Sequence, residues 1–418
     1  MPGPSAFPAL RHRNFRLLWS GQLVSVSGSM MQMAAILWHV SLLVPPDRKG
    51  LALGLVGLVR VVPIVGFSLL GGVVADALDR RRLMLATQAG MALVAVALAA
   101  LAFAGLSVVW PIYLLAALGA AANSFDSPAR QSLIPNLVPR GDLPNAISLN
   151  SVMFQAGSVV GPSLAGVVIA TLGVGWVYAI NAATFLAVIV ALLAMRGVPA
   201  RAAGSESDIS LAAARDGLRF VFRAPLIRST MLLDFFATFF ASATALLPIF
   251  AQDILKVGAH GYGWLYAAPS VGAVLAGLAM ARLADHIGRR GWVLLGAVGV
   301  YGLATVAFGV SRSFWLTFAC LAATGMADTV STVLRNVIRQ LATPDALRGR
   351  MTSINMMFFM GGPQLGELEA GMVAQGFGAP ISVVTGGLGC LLATAWTAAR
   401  TPELVGYRKE PGGPARQI

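Results

Sequence analysis

The chain has 418 residues, of which 57% are hydrophobic and only 11% charged, and its mean hydropathy is +0.76. Soluble domains carry about 25% charged residues, so a water-soluble fold is excluded and a chain that crosses a bilayer many times is implied. The net charge of +13 would suit nucleic acid, but the basic residues are distributed by topology instead. Four of them (Arg48, Lys49, Lys256 and Arg312) fall in one set of loops and Arg60 lies inside a span. All the rest sit at the termini or toward the other set of loops, the positive-inside pattern, which predicts both termini in the cytoplasm.

The first apolar run follows Arg11, Arg13 and Arg16. It is long and has no small-residue cleavage site before the next run, so it reads as a first helix and not as a leader. Twelve runs follow in order, over 17–42, 51–75, 83–104, 107–129, 146–170, 174–195, 227–251, 261–283, 292–310, 313–336, 350–375 and 379–399. Each is close to the roughly 20 residues that span hydrocarbon. Between the sixth and seventh lies 196–226, which opens with linker composition. It closes on Ile209 to Phe222, where Leu211, Ala214, Leu218, Val221 and Phe222 share one helical face; an amphipathic helix on the inner membrane surface is predicted. Residues 402–418 are polar and rich in Pro and Gly, and are expected to be disordered. The expected organisation is a six-helix bundle over 1–195, the linker over 196–226, a second bundle over 227–400 and a cytoplasmic tail over 401–418.

The two halves repeat. Gly71–Arg82, Gly-Gly-Val-Val-Ala-Asp-Ala-Leu-Asp-Arg-Arg-Arg, is a charged hairpin that hydrocarbon would not tolerate. A weaker copy, Ala281–Arg290, stands between the eighth and ninth runs. Asp126 recurs as Asp328 and Gly161-Pro162 as Gly362-Pro363, each about 200 residues later. Two parallel six-helix halves, pseudo-symmetric about the membrane normal, form a transporter architecture. The fold class is therefore an all-α membrane protein with twelve transmembrane helices in two bundles.

At these residues a family resemblance becomes legible. Gly72-x3-Asp76-x2-Asp79-Arg80-Arg81 resembles the signature after the second span of the major facilitator superfamily, with Asp79 where Gly is commoner. Asp285-x2-Gly288-Arg289-Arg290 is similar to its second-half copy, with Ala281 in place of the leading Gly. Three further stretches, Arg13–Gln22, Asp126–Pro135 and Asn145–Asn150, together with Gly161-Pro162, resemble the branch of enterobactin and macrolide exporters. The resemblance implies alternating access between the halves. Asp76 would then meet the N-terminus of the eleventh span, where the helix carries about half a positive charge. Arg80 and Arg81 would reach carboxylates or carbonyls nearby, and Gly72 would allow a close helix approach. Gly157, Gly161, Pro162 and Gly166 resemble the exporter-associated motif of the fifth span in partial form, which favours efflux over uptake. Many drug exporters of the superfamily place an arginine inside the fourth span. Here that span has only Arg130, at its inner end, so proton coupling by that route lacks its arginine.

Charges inside spans are costly and mark function. Arg60, near the middle of the second span, suits an anionic substrate or a pairing with Glu367 or Asp234, against a purely structural ion pair. Glu367 and Glu369, two apart on a helix, point about 200° from each other and cannot share a site. Glu367 is the one expected to face a cavity, where burial would suit it to carry a proton. Asp234 in the seventh span is the alternative coupling carboxylate. Asp126 with Arg130, and Asp328 with Arg335, read as gating salt bridges, alongside Asp76, Arg80, Arg81, Asp285 and Arg289 at the inner gate. Gln32, Asn150 and Gln155 are polar groups expected to line the cavity, and most other amides should join helices. The run Phe235, Phe236, Phe239 and Phe240 shows two faces, one for lipid and one for an apolar substrate, with Phe239 assigned to the cavity. His39 reads as an interfacial residue.

No phosphate-cradling Gly-x4-Gly-Lys-Ser/Thr occurs, so ATP is not expected to drive transport. The four His and two Cys have no ligand spacing, and no metal or other cofactor is expected. Cys320 and Cys390 both lie in apolar runs, which argues against a disulfide. The expectation is a monomeric secondary exporter, not an enzyme, that moves an amphipathic small molecule of drug or siderophore class against protons. An importer of the same fold, or a membrane scaffold or sensor, is the alternative.

Overall fold

The computed structural model describes residues 7–197, 219, 222, 224–242, 244–344 and 348–408, without the side chains of 68–77, 285, 348–350, 352–354, 356, 357 and 360. The predicted amphipathic helix of the linker, and the side chains of Gly72, Asp76 and Asp285, lie outside the described residues. Among the described residues twelve long helices follow one another: α1 (Arg13–Leu43), α2 (Lys49–Ala77), α3 (Arg80–Phe103), α4 (Trp110–Leu133), α5 (Leu143–Thr171), α6 (Val174–Ala194), α7 (Pro225–Ala241), α8 (Gly258–Leu283), α9 (Arg290–Val310), α10 (Phe314–Ala342), α11 (Arg348–Phe377) and α12 (Ala379–Arg400). Among the described residues, ten segments are long and apolar enough to cross a membrane. The other two, α4 and α11, have the length but carry Asp126 and Arg130, or Arg348, Arg350, Glu367 and Glu369, in place of part of the apolar run.

Each half closes on itself in the same way. In the first, α1 packs on α5 and α6, α2 on α4, and α3 on α4 and α6; in the second, α7 packs on α11 and α12, α8 on α10, and α9 on α10 and α12. The halves meet along two seams, α2 against α11 and α5 against α8. Both seams are lined with small residues, which bring backbones close enough for dispersion and weak C–H contacts to hold helices together in lipid. A methyl group added at Gly54 would sit 3.0 Å from the Cα of Gly371, and one at Gly166 would sit 2.8 Å from the Cα of Gly263.

The bundle has one end that bears the first and last described residues, here proximal, and an opposite end, distal, that bears the α1–α2 loop. The bonds that join the halves gather distally. Lys49 donates to Gln252 at 2.9 Å and pairs with Asp253 at 3.0 Å. Gln252 donates to Ser41 at 2.7 Å, and Tyr262 to the carbonyl of Ala34 at 2.8 Å. Gln375 donates to the Asp47 carbonyl and accepts from the Leu51 amide. Gly361, on the same stripe of α11 as Gln364 and Leu368, is buried, yet a methyl group there would find nothing within 4 Å.

Two elements differ from the sequence reading. The seventh span was expected to be continuous over 227–251, but α7 ends at Ala241 and helix resumes at Thr244, running through Leu247–Ile249 into a wide turn at Phe250–Ile254. The break falls at Ser242, whose φ of −80° and ψ of 71° leave the helical region, and Pro248 stands in the first turn of Leu247–Ile249, where its missing N–H costs nothing. The start of the tail was expected to be disordered. Instead Pro402–Val405 forms a short helix, α13, with Leu404 fully buried against the start of α9. The amide of Gly291 donates to the carbonyl of Tyr407 at 3.1 Å, and glycine is needed because a side chain there would collide with the Leu404 carbonyl.

Candidate functional site

The α2–α11 seam positions the most unusual carboxylate in the protein. Glu367 is buried, with 7% of its surface exposed, and its Oε2 has no hydrogen-bond partner among the described residues. It lies against Gly57: a methyl group there would be 2.6 Å from the Gln364 carbonyl oxygen, 2.8 Å from the Glu367 Cβ and 2.9 Å from its Oε2. Gly57 is thus the seat that lets this side chain enter the seam. The half-buried Arg60 lies one turn further along α2 and makes no ion pair with Glu367 among the described residues. Glu369, on the other side of α11, is half-buried.

Around this pair stands a buried aromatic group. The ring of Tyr266 lies 5.9 Å from that of Tyr262. Tyr262 packs on Trp38 at 5.0 Å. His39, beside Trp38, has its Nδ1 3.2 Å from the hydroxyl of the fully buried Tyr178. His39 is therefore a packed, buried group, not the interfacial residue expected. The other cavity candidates are dispersed. Gln32 accepts from Asn181 at 2.8 Å and so ties α1 to α6. Asn150 and Gln155 are half-buried on α5. Phe239 stacks on Phe235 at 5.7 Å, and Phe235 meets Phe358 of α11 edge-on at 5.9 Å. On the other face Phe240 stacks with Phe236 and lies against Gly389 of α12.

Asp234 does not reach Arg60. Its Oδ1 lies 2.8 Å from the guanidinium of Arg335 on α10, an ion pair between residues 2% and 1% exposed. The contact is not aligned as a linear hydrogen bond. The same guanidinium is 3.4 Å from Asp328 and donates to Thr332 at 2.7 Å, and Arg339 continues the chain to Asn336 and to Asn355 of α11. The first half has the same plan with weaker charges. Arg130 of α4 donates to Gln22 of α1 at 3.0 Å, where α10 meets α7 through Arg335 and Asp234. Asp126 makes no ion pair with Arg130; its Oδ1 accepts from Thr87 at 2.9 Å and Gln88 at 3.0 Å, both on α3.

The charged hairpin binds helix ends. Arg80 donates to the carbonyl of Ser132 at 2.8 Å, at the end of α4, and Arg81 to that of Leu193 at 3.1 Å, at the end of α6. Helix C-termini carry partial negative charge, so cations are stabilised there. Asp79 accepts from the Arg82 amide at 2.8 Å and caps α3. In the second copy Arg289 is exposed and Arg290 buried. The glycine motif of α5 divides between two partners: Gly157 and Gly161 abut Ser27 and Met31 of α1, while Gly166 and the Pro162 carbonyl abut Gly263 of α8. Sequence reasoning missed Gly57, Lys49, Gln252, Asp253 and Gln375. The signal for the last four was polarity: each is a polar residue at the distal end of a span, two of them of opposite charge.

A family model described as "Transmembrane secretion effector" matches residues 4–405. The enterobactin exporter EntS of Escherichia coli O1:K1 is 26% identical over 401 residues, which is 96% of this chain and 94% of that one. That of Shigella boydii is 27% identical over 402 residues, with the same coverage. Among solved structures, a bacterial homolog of the human lysosomal transporter Spinster, inward-facing and unoccupied, aligns with a TM-score of 0.73 at 15% identity, over 98% of this chain and 100% of that one. A bacterial homologue of the iron transporter ferroportin, inward-facing, aligns with a TM-score of 0.68 at 16% identity, over 94% and 99%. The paired six-helix halves, their small-residue seams and a match along nearly the whole chain lead to one assignment: this protein is a multi-pass membrane transporter of the major facilitator superfamily and belongs to its transmembrane secretion effector family.

Proposed function

We propose that this transporter is a proton-coupled exporter of an amphipathic small molecule, of siderophore or drug class, in an inner membrane with both termini cytoplasmic. The observation that carries the reading is Glu367: a buried carboxyl with an unpartnered oxygen, seated on Gly57 inside the seam that closes the distal end. A carboxyl that is covered when α2 and α11 meet and uncovered when they part can take up and hand over a proton in step with closure. Taking an ion out of water costs several kcal/mol, so its protonation and the contact of the two halves cannot be independent. Arg60, one turn from Gly57 on α2, is the group that would hold an anionic part of the cargo or replace the proton as the partner of the carboxylate. Export of a siderophore-class molecule is supported by the enterobactin exporters among its relatives, and the termini by the positive-inside distribution. With that orientation the joined distal end faces away from the cytoplasm. Alternating access then consists of exchanging the distal contacts for proximal ones by rocking of the two halves.

The test is cargo movement in inside-out vesicles from cells that lack their own exporters, under an imposed pH gradient. A panel of catecholate siderophores, macrolides and cationic drugs would be screened. Uptake into the vesicles with matched proton movement is expected for at least one compound. Glu367→Gln should abolish gradient-driven accumulation while cargo exchange at equilibrium persists. Gradient-driven accumulation that survives in this variant would remove Glu367 from the coupling step, and movement in the opposite sense would make the protein an importer.

A further inference from the structure

At the distal end of the second half, α8 and α10 do not close on each other completely. Their first turns leave a cavity of about 520 Å³ lined by Val257, His260, Gly261, Trp264, Phe314, Trp315 and Phe318. That size lies within the range of small-ligand sites. The groove faces away from the other half. Tyr262 and Gly263, on the opposite face of the same turns, are the residues that pack against α1 and α5. Its aromatic rings belong to the first turns of two spanning helices, and Trp, enriched at membrane–water interfaces, is 74% exposed at Trp315 and 44% at Trp264.

Charge indicates what fills it. Of the four basic residues in the distal loops, Arg48 and Lys49 have acidic partners, at 3.8 Å and 3.0 Å. The other two, Lys256 and Arg312, are exposed and make no ion pair among the described residues. These two flank the groove: Lys256 precedes Val257, and Arg312 lies two residues before Phe314. Lys256 is also the one non-glycine residue with positive φ (55°) among those described, in a tight turn that starts α8.

We propose that this groove is a phospholipid site: one acyl chain occupies the aromatic channel, and the phosphate of an anionic headgroup is held by Lys256 and Arg312, with His260 as a further polar contact. The occupant is a lipid of the phosphatidylglycerol class in the distal leaflet. Because the same two turns of α8 form the α5–α8 seam on their other face, a bound lipid would brace the distal contact. The inference is independent of cargo, coupling ion and direction of transport.

The experiment is tryptophan quenching in the intact protein reconstituted in vesicles, with brominated acyl chains carried either on phosphatidylglycerol or on phosphatidylcholine. The chain has eight Trp, so the signal of the site is the difference between the wild type and a Trp264→Phe/Trp315→Phe variant. The expected result is stronger quenching by the phosphatidylglycerol form, confined to those two residues. Each cation is worth about fivefold in affinity for an anionic headgroup, so Lys256→Gln/Arg312→Gln should lower the preference about 25-fold and bring the two lipids together. Both positions are exposed, and size-exclusion profiles would confirm that the variants are folded. Equal quenching by the two lipids in the wild type would overturn the proposal. So would a preference that survives loss of the two cations, or one that persists in the Trp double variant.

Discussion

Glu367 depends on a residue with no side chain. Because its Cβ and Oε2 pack against the space above Gly57, any side chain at position 57 competes with the carboxyl for the seam. Gly57→Val is expected to separate α2 from α11 there, raise exposure of Glu367, and impair transport about as strongly as Glu367→Gln. Labelling of a Glu367→Cys probe by a water-soluble maleimide, with and without Gly57→Val, measures the exposure; equal labelling would show that the glycine does not govern access. The carboxylate was legible in the sequence, since a charge inside a span is costly and rarely accidental. Its seat was not. The chain has 46 glycines, and only the packing of α2 on α11 distinguishes Gly57 from the rest. Asp126 was misread for a related reason. An arginine four residues along the same helix is a reachable partner, but Thr87 and Gln88 of α3 lie closer to the carboxyl and already occupy it.

Helices in the second half are pinned by charge more firmly than in the first. Arg335 ties α10 to α7 through Asp234, both almost fully buried, whereas Arg130 ties α4 to α1 through a neutral amide. Removing one member of a buried ion pair leaves an uncompensated charge, at a cost of about 3–5 kcal/mol. Arg335→Met is therefore expected to lower thermal stability sharply in detergent. The Asp234→Asn/Arg335→Met double variant should recover much of the loss, because the almost fully buried position 234 no longer carries a lone charge. A double variant as unstable as the single would mean that Arg335 acts mainly through Asp328 and Thr332. At the same scale, Leu404→Ala should loosen α13 from α9 at a cost of about 2–5 kcal/mol of local packing, visible as faster proteolysis after Thr401. The amphipathic pattern of the sequence marks neither contact, since α7, α10 and α13 meet only in the folded bundle.

For the whole molecule, the state seen is the one in which the distal contacts between the halves are made. The distal latch of Lys49, Gln252, Asp253 and Gln375 holds that state. Asp253 is half-exposed, so its pair with Lys49 contributes about 1 kcal/mol or less, enough to move a balanced equilibrium about fivefold. Lys49→Gln combined with Gln375→Ala is expected to populate a distally parted state. Electron–electron distances between spin labels at Arg48 and Phe377, both exposed, would report it as a second, longer population. A single unchanged distance would mean that the glycine seams alone hold the distal end together.

The sequence alone determined that the chain is a twelve-helix membrane transporter built as a repeat, because hydrocarbon enforces long apolar spans and the charged hairpins between them recur in each half. It also singled out Glu367, Arg60 and Asp234, since charge in a bilayer carries a free-energy cost that composition exposes. Which of these charges meet was decided only in the tertiary structure. Asp234 lies with Arg335, Glu367 sits against Gly57, and Asp126 takes neutral donors, because partners are chosen by helix packing between segments far apart in the chain. The distal closure was likewise a tertiary outcome: its polar residues come from both halves, and its glycines acquire meaning only where two backbones approach.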